Sequence, residues 1–202
     1  MAIRTLFFDL GNVLVPFNFQ RAYAALEALS PLPIDEMAKR LRADGLVARY
    51  ECGELEDELF FEEFAALTEV KTSYHRFCEI WNCIFLPANL VPESLLQSLA
   101  SRYRLLLLSN TNAIHFRYLE ANYSHIRHFH HLCLSHEAGA QKPARKIYDD
   151  ALRIANADPA EVFFTDDMRE NVEAARTLGL DAEVFEGLPA LRKHLSARGV
   201  EV

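Results

Sequence analysis

The sequence has too few cysteines for a disulfide scaffold, no basic excess and no long apolar run. Its four cysteines, Cys52, Cys78, Cys83 and Cys133, include no C-x-x-C pair. A chain of 202 residues can bury a core without cross-links, so these read as reduced, mostly buried thiols. Basic side chains number 21 against 29 acidic ones, a formal charge of -8. That argues against a non-specific nucleic-acid binder, which needs a basic face. No apolar stretch reaches the length of a membrane span. Met1 to Thr5 lead directly into a strand pattern, without the layout of a secretory leader. The expectation is a cytoplasmic protein that binds neither nucleic acid nor membrane; its oligomeric state is left open.

What is present is a repeated alternation of short apolar runs and helical patterns. The runs are Thr5 to Asp9, Leu105 to Leu108, His131 to Leu134, Val162 to Thr165 and Ala182 to Phe185. Helices are predicted over Asn112 to Asn122, Ala144 to Ala155 and Arg169 to Leu178, with Gly179 just past the last turn. Strand, helix, strand, repeated, implies an α/β fold: a Rossmann-like parallel sheet with helices on both faces. Residues 16–87 break this rhythm. Their apolar positions recur at helical spacing, as in Ala22, Leu26 and Leu29 or Phe60, Phe64 and Leu67. The expected organisation is a core of 1–15 and 88–202, with 16–87 an inserted all-helical cap over the first strand's carboxyl end.

The chemistry gathers at the strand ends. Asp9 ends the first strand, where open α/β sheets bind ligands and where a buried carboxylate needs compensation. Ser109-Asn110-Thr111-Asn112 ends the second and opens a helix, offering hydroxyls and backbone N–H groups to an anion. Lys142 stands in a loop before another helix, and Asp166-Asp167 ends the fourth strand. Acids, a hydroxyl and a lysine together describe a magnesium and phosphate site.

These segments, in this order, resemble the haloacid dehalogenase-like hydrolases. Phe8-Asp9-Leu10-Gly11-Asn12-Val13 looks like the nucleophile motif, and Leu108-Ser109-Asn110-Thr111-Asn112 like the phosphoryl-binding one. Lys142-Pro143 is similar to the third motif, and Phe164-Thr165-Asp166-Asp167 to the acidic fourth. The helical insert corresponds to the cap of subfamily I. Asp-Leu-Gly-Asn-Val and Ser-Asn-Thr-Asn are closest in flavour to bacterial sugar-phosphate phosphatases of the glucose-1-phosphatase type. The resemblance implies a magnesium-dependent phosphomonoester hydrolase of a small phosphorylated metabolite, such as a sugar phosphate. Asp9 would attack phosphorus, and Ser109, Asn110 and Lys142 would hold the phosphoryl group. Asp9, the Gly11 carbonyl and Asp167 would hold Mg²⁺, with Asp166 beside them as ligand or support. Asn171, at a position often acidic in the family, would orient its neighbours.

Gly11 departs from the family's pattern, which usually places an Asp two residues after the nucleophile to protonate the leaving group. General acid–base help is worth about a hundred- to ten-thousand-fold. Three explanations stand open: an easy leaving group such as an anomeric or acyl phosphate, a substitute from the cap or water, or a binding protein with little turnover. Dehalogenation is a further reading. It needs no magnesium, and the acidic pair and the residue after the nucleophile both count against it.

Other residues invite sharper readings than they carry. His125, His128, His130, His131 and His136 crowd one region but lack a ligand spacing. His115 follows Ser109 by one helical turn and is expected to pack. Phe17, Tyr50, Trp81 and Phe85 are expected to be largely cap core. Glu51-Cys52-Gly53-Glu54 reads as a helix-joining turn with solvated acids.

Overall fold

The computed structural model describes residues 2–202. Five strands, β1 (Thr5–Phe8), β2 (Arg104–Ser109), β3 (His131–Leu134), β4 (Val162–Asp166) and β5 (Asp181–Val184), form one sheet of order β3-β2-β1-β4-β5. Every pairing is parallel, with Phe7 opposite Leu106 on one side and Phe164 on the other. β1 is thus central, and the chain builds to one side of it before crossing to the other. That reversal opens the crevice in which such sheets bind ligands. β1 ends one residue before the expected limit, although the Asp9 N–H still bonds the Thr165 carbonyl at 3.0 Å.

Strand periodicity explains why the apolar runs are continuous. Successive side chains face opposite ways, so a strand covered on both faces needs apolar residues at every position. Leu6 and Phe8 join Leu105 and Leu107 in one core, with α6 (Glu93–Ala100), α7 (Ala113–Asn122) and α11 (Leu188–Ala197). Phe7 joins Leu106, Leu108 and Phe164 in the other, under α9 (Arg145–Ala155) and α10 (Arg169–Thr177). A short α8 (Ser135–Ala138) follows β3. Asn112 caps α7 by accepting the His115 N–H at 3.0 Å, so the polar end of β2 also starts a helix.

Between β1 and β2 the chain forms five more helices: α1 (Gln20–Glu27), α2 (Ile34–Asp44), α3 (Leu46–Glu51), α4 (Asp57–Thr68) and α5 (Tyr74–Asn82). They enclose their own core, built around Tyr50, Phe60, Phe64 and Phe77. The rings of Tyr50 and Phe60 stack at 3.9 Å between centroids. Ile114 of α7 joins this cluster, which seats the inserted helices on the sheet domain. The Tyr50 hydroxyl makes the same connection in polar form. It donates to Asp57 at 2.6 Å and accepts the Ile114 N–H at 3.2 Å, while Arg117 of α7 pairs with Asp57. An isolated bridge between Phe17 and Phe85 ties together the two segments that enter and leave the cap.

The cysteines depart from expectation. All four are free, but only Cys133 is buried; Cys52 and Cys83, which follow the last turns of α3 and α5, and Cys78, within α5, are half-buried. Among the described residues no helix is long and apolar enough to cross a membrane.

Candidate active site

Lys142 organises the strand ends. Its ammonium donates to Asp9 Oδ1 at 2.7 Å, to Asp166 Oδ2 at 2.6 Å and to the Leu108 carbonyl at 2.9 Å. Three donors meet three acceptors from three different strands, so the lysine is satisfied although only 5% exposed. Burial lowers its pKa, but the two carboxylates outweigh burial and the net shift is upward. The lysine is therefore a fixed cation.

Asp9 and Asp166 share that cation unequally. The Asp166 carboxylate is fully buried, and its other oxygen accepts the Met168 N–H at 2.8 Å and the Asn171 amide at 2.9 Å. Both Asp166 oxygens are thus occupied by protein donors. Asp9 makes fewer such bonds, and burial pushes its pKa up to about 7, against the opposing pull of Lys142 and with Asp166 adding repulsion. Asp167 is half-buried and also raised, by burial first, while Asn12 donates to it at 3.2 Å. Asp9, Asp166 and Asp167 can bring one carboxylate oxygen each within 4.8 Å of one another. Three acids this close, with one lysine between two of them, leave negative charge that a hard divalent cation would neutralise. An all-oxygen donor set of this kind fits Mg²⁺.

The structure brings the remaining sequence candidates to the same place. Ser109 is buried at the end of β2. Asn110 reaches across to the Lys142 loop: its amide donates to the Lys142 carbonyl at 2.9 Å and its carbonyl accepts the Lys142 N–H at 2.7 Å. This two-point clamp engages the Asn110 side chain with the lysine's backbone. Gly11 lies in the turn after Asp9, and a Cβ there would stand 2.6 Å from the ring of Phe17. The place a side chain would take is filled from the first residues of the cap segment.

The histidines have separate tasks. His128 faces Glu93 at 2.9 Å, His130 accepts the Leu105 N–H at 3.0 Å, and His136 meets the Thr111 carbonyl at 3.3 Å. His115 packs between Trp81 and Phe85, and burial pushes its pKa down to about 3. It is a neutral aromatic wall.

Glu54 is exposed, as expected of this turn, whereas Glu51, at the end of α3, is not a solvated acid. Its carboxylate is largely withdrawn from water and takes a hydrogen bond from Gln141 at 2.5 Å; burial pushes its pKa up to about 7. The turn lies against the sheet domain because Gly53 has no side chain: with φ of 70°, a Cβ there would stand 2.0 Å from the His136 carbonyl oxygen. A glycine in a turn admits either a sharp bend or a close approach. The sequence offered only that signal.

Such an arrangement defines a class: a parallel α/β hydrolase core with its acids and lysine under a helical cap. A model of the haloacid dehalogenase-like hydrolases matches residues 3–179, and the chain belongs to that family. It is 24% identical over 185 residues to a D-ribitol-5-phosphate phosphatase of Bacteroides thetaiotaomicron, covering 89% of this chain and 90% of that one. A HAD family enzyme from the same organism, solved with magnesium and inorganic phosphate, superposes with a TM-score of 0.81 at 26% identity, over 91% of this chain and 94% of that one. An L-2-haloacid dehalogenase from Xanthobacter autotrophicus shares the fold, with a TM-score of 0.62 at 17% identity over 100% and 85% of the two chains.

Proposed function

We propose that this protein is a magnesium-dependent phosphomonoesterase acting on a small phosphorylated metabolite through an aspartyl-phosphate. The observation that carries the reading is the Lys142 bridge between Asp9 and Asp166 beside Asp167. Of the two acids that share Lys142, Asp166 has both oxygens taken by protein donors, whereas Asp9 has Lys142 as its one side-chain donor. Its carboxylate oxygen attacks phosphorus, the ester P–O bond breaks, and its electron pair leaves with the alcohol oxygen, which takes a proton from water. Water then attacks phosphorus, releasing phosphate and restoring the carboxylate.

Ser109 and the Asn110 N–H receive the phosphoryl oxygens, and Lys142 holds Asp9 in place while opposing the phosphoryl charge. Asp9, the Gly11 carbonyl and Asp167 would hold Mg²⁺. Asp166, already engaged with Lys142 and Asn171, steadies the set and adds charge for the metal. When bound, the ion supplies Lewis-acid stabilisation of the phosphoryl charge and offsets repulsion between anionic nucleophile and anionic substrate. Residues 16–87 act as the cap domain over a core of 1–15 and 88–202. The ribitol phosphate specificity of the Bacteroides relative supports a phosphorylated metabolite, and a sugar or polyol phosphate is one class to test.

The test is phosphate release from a panel of phosphomonoesters with Mg²⁺ and with EDTA. Release that requires Mg²⁺ and fails in Asp9→Asn is expected. Release unchanged by EDTA, or by the substitution, would refute the reading.

A further inference from the structure

A cavity of about 520 Å³ lies within the cap, with His115 and Gln141 of the core on its wall. It falls within the roughly 300–1,000 Å³ that small-molecule sites occupy. Leu26, Met37, Leu41, Phe64 and Ile84 make up much of its wall. Polar groups are few: Glu51 and Gln141, which bond to each other, the rings of Trp81 and His115, and Tyr23 and Arg42 from the cap helices. Among the described residues, Trp81 Nε1 and His115 Nδ1 have no hydrogen-bond partner, although both atoms are buried. Two of its lining residues neighbour groups of the site. Gln141 precedes Lys142, and Phe19 packs on Phe17, the ring that covers Gly11.

We propose that the substrate is the phosphomonoester of a predominantly apolar alcohol, whose body fills this cavity against the rings of Trp81 and His115. The inference rests on the phosphomonoesterase reading above. A polyol or sugar carries a hydroxyl on nearly every carbon, and each one buried without a partner is penalised. Here the Glu51 carboxyl and Gln141 amide are already paired, Arg42 is exposed to solvent, and most of the remaining wall is hydrocarbon. An alkyl or aryl body gains instead from every surface it removes from water.

Trp81 is the chain's only tryptophan, so its emission reports occupancy directly. Two measurements therefore decide the matter, each with cyclohexylmethyl phosphate and 2-phenylethyl phosphate set against ribitol 5-phosphate and glucose 1-phosphate. The first is kcat/KM with Mg²⁺; the second is Trp81 fluorescence titration of the Asp9→Asn protein. The expected result is a kcat/KM advantage of about tenfold or more for the apolar esters, the scale on which apolar pockets discriminate. Saturating change in Trp81 emission is expected for those esters at lower concentration than for the polyol phosphates. Equal or better turnover of ribitol 5-phosphate or glucose 1-phosphate would overturn the proposal, as would apolar esters that leave Trp81 emission unchanged. If no ester releases phosphate yet the apolar esters alone saturate the Trp81 signal, the phosphatase reading fails and the cavity assignment stands.

Discussion

The ring of Phe17 lies 2.6 Å from the point at which a Cβ on Gly11 would stand. The side-chain position two residues after Asp9 is thus closed by an aromatic ring from the segment that enters the cap. Phe17 also pairs with Phe85 across the two connections to the cap, so it does not move freely. A single Gly11→Asp replacement is expected to lower stability by about 1–3 kcal/mol through overpacking and to leave alkyl phosphate turnover no better. Gly11→Asp with Phe17→Ala is expected to raise that turnover by about tenfold or more, the low end of what positioned acid–base groups supply or below. Thermal melts and kcat on one alkyl phosphate check both.

Asn110 and Lys142 form the second relationship with consequences. The amide clamps the lysine's own peptide groups at 2.7 and 2.9 Å. Asn110→Ala leaves those groups without the clamp and is expected to cost about 1–3 kcal/mol of stability. It should lower kcat more than it raises KM, because the misplaced group is Lys142 near the nucleophile. A pure KM effect would show that the clamp does not act through the lysine.

The pH dependence of folding isolates Glu51. Its pKa is raised by burial from 4.5 to about 7 in the folded protein. The folded state therefore holds a proton that the unfolded state releases, so its stabilising contribution is complete below about 4.5 and is lost as pH rises through about 7. Glu51→Gln cannot lose it. The melting temperature of the variant relative to the wild type is expected to climb between pH 4.5 and 7 and to level off above. A constant difference across that range would mean that Glu51 titrates as an exposed acid.

Gly53 tests the seating of the cap. With positive φ and a neighbouring carbonyl at the Cβ position, Gly53→Ala is expected to lower stability by about 1–3 kcal/mol. Because the same turn carries Glu51 to the cavity, KM for the preferred ester should rise several-fold more than kcat falls.

Much of this was legible before the coordinates, and the reasons are physical. Asp9, Ser109 and Asp166 each follow an apolar run that only a doubly covered strand tolerates, so their polarity stands out and their common end of the sheet follows from parallel pairing. Lys142 sits on a loop, where no periodicity marks it; motif order alone made it a candidate, and its three hydrogen bonds explain the burial. The Phe17 ring over Gly11 and the burial of Glu51 were not legible. Each depends on how the cap meets the core, a contact between segments distant in sequence. The apolar cavity belongs to the same class: its wall residues have the helical spacing of ordinary core, and spacing does not reveal that they fail to meet. The Asn110 clamp was hidden for a simpler reason, since an asparagine after a strand suits an anion site and a backbone bond equally well.

The most direct test of the central claim is acid quench of the enzyme during turnover of a ³²P-labelled ester with Mg²⁺. Proteolysis of the quenched protein then locates the label. The account predicts acid-stable, base-labile label on the peptide that contains Asp9, and none in Asp9→Asn. Turnover with no label on that peptide, or equal labelling of the variant, would contradict it.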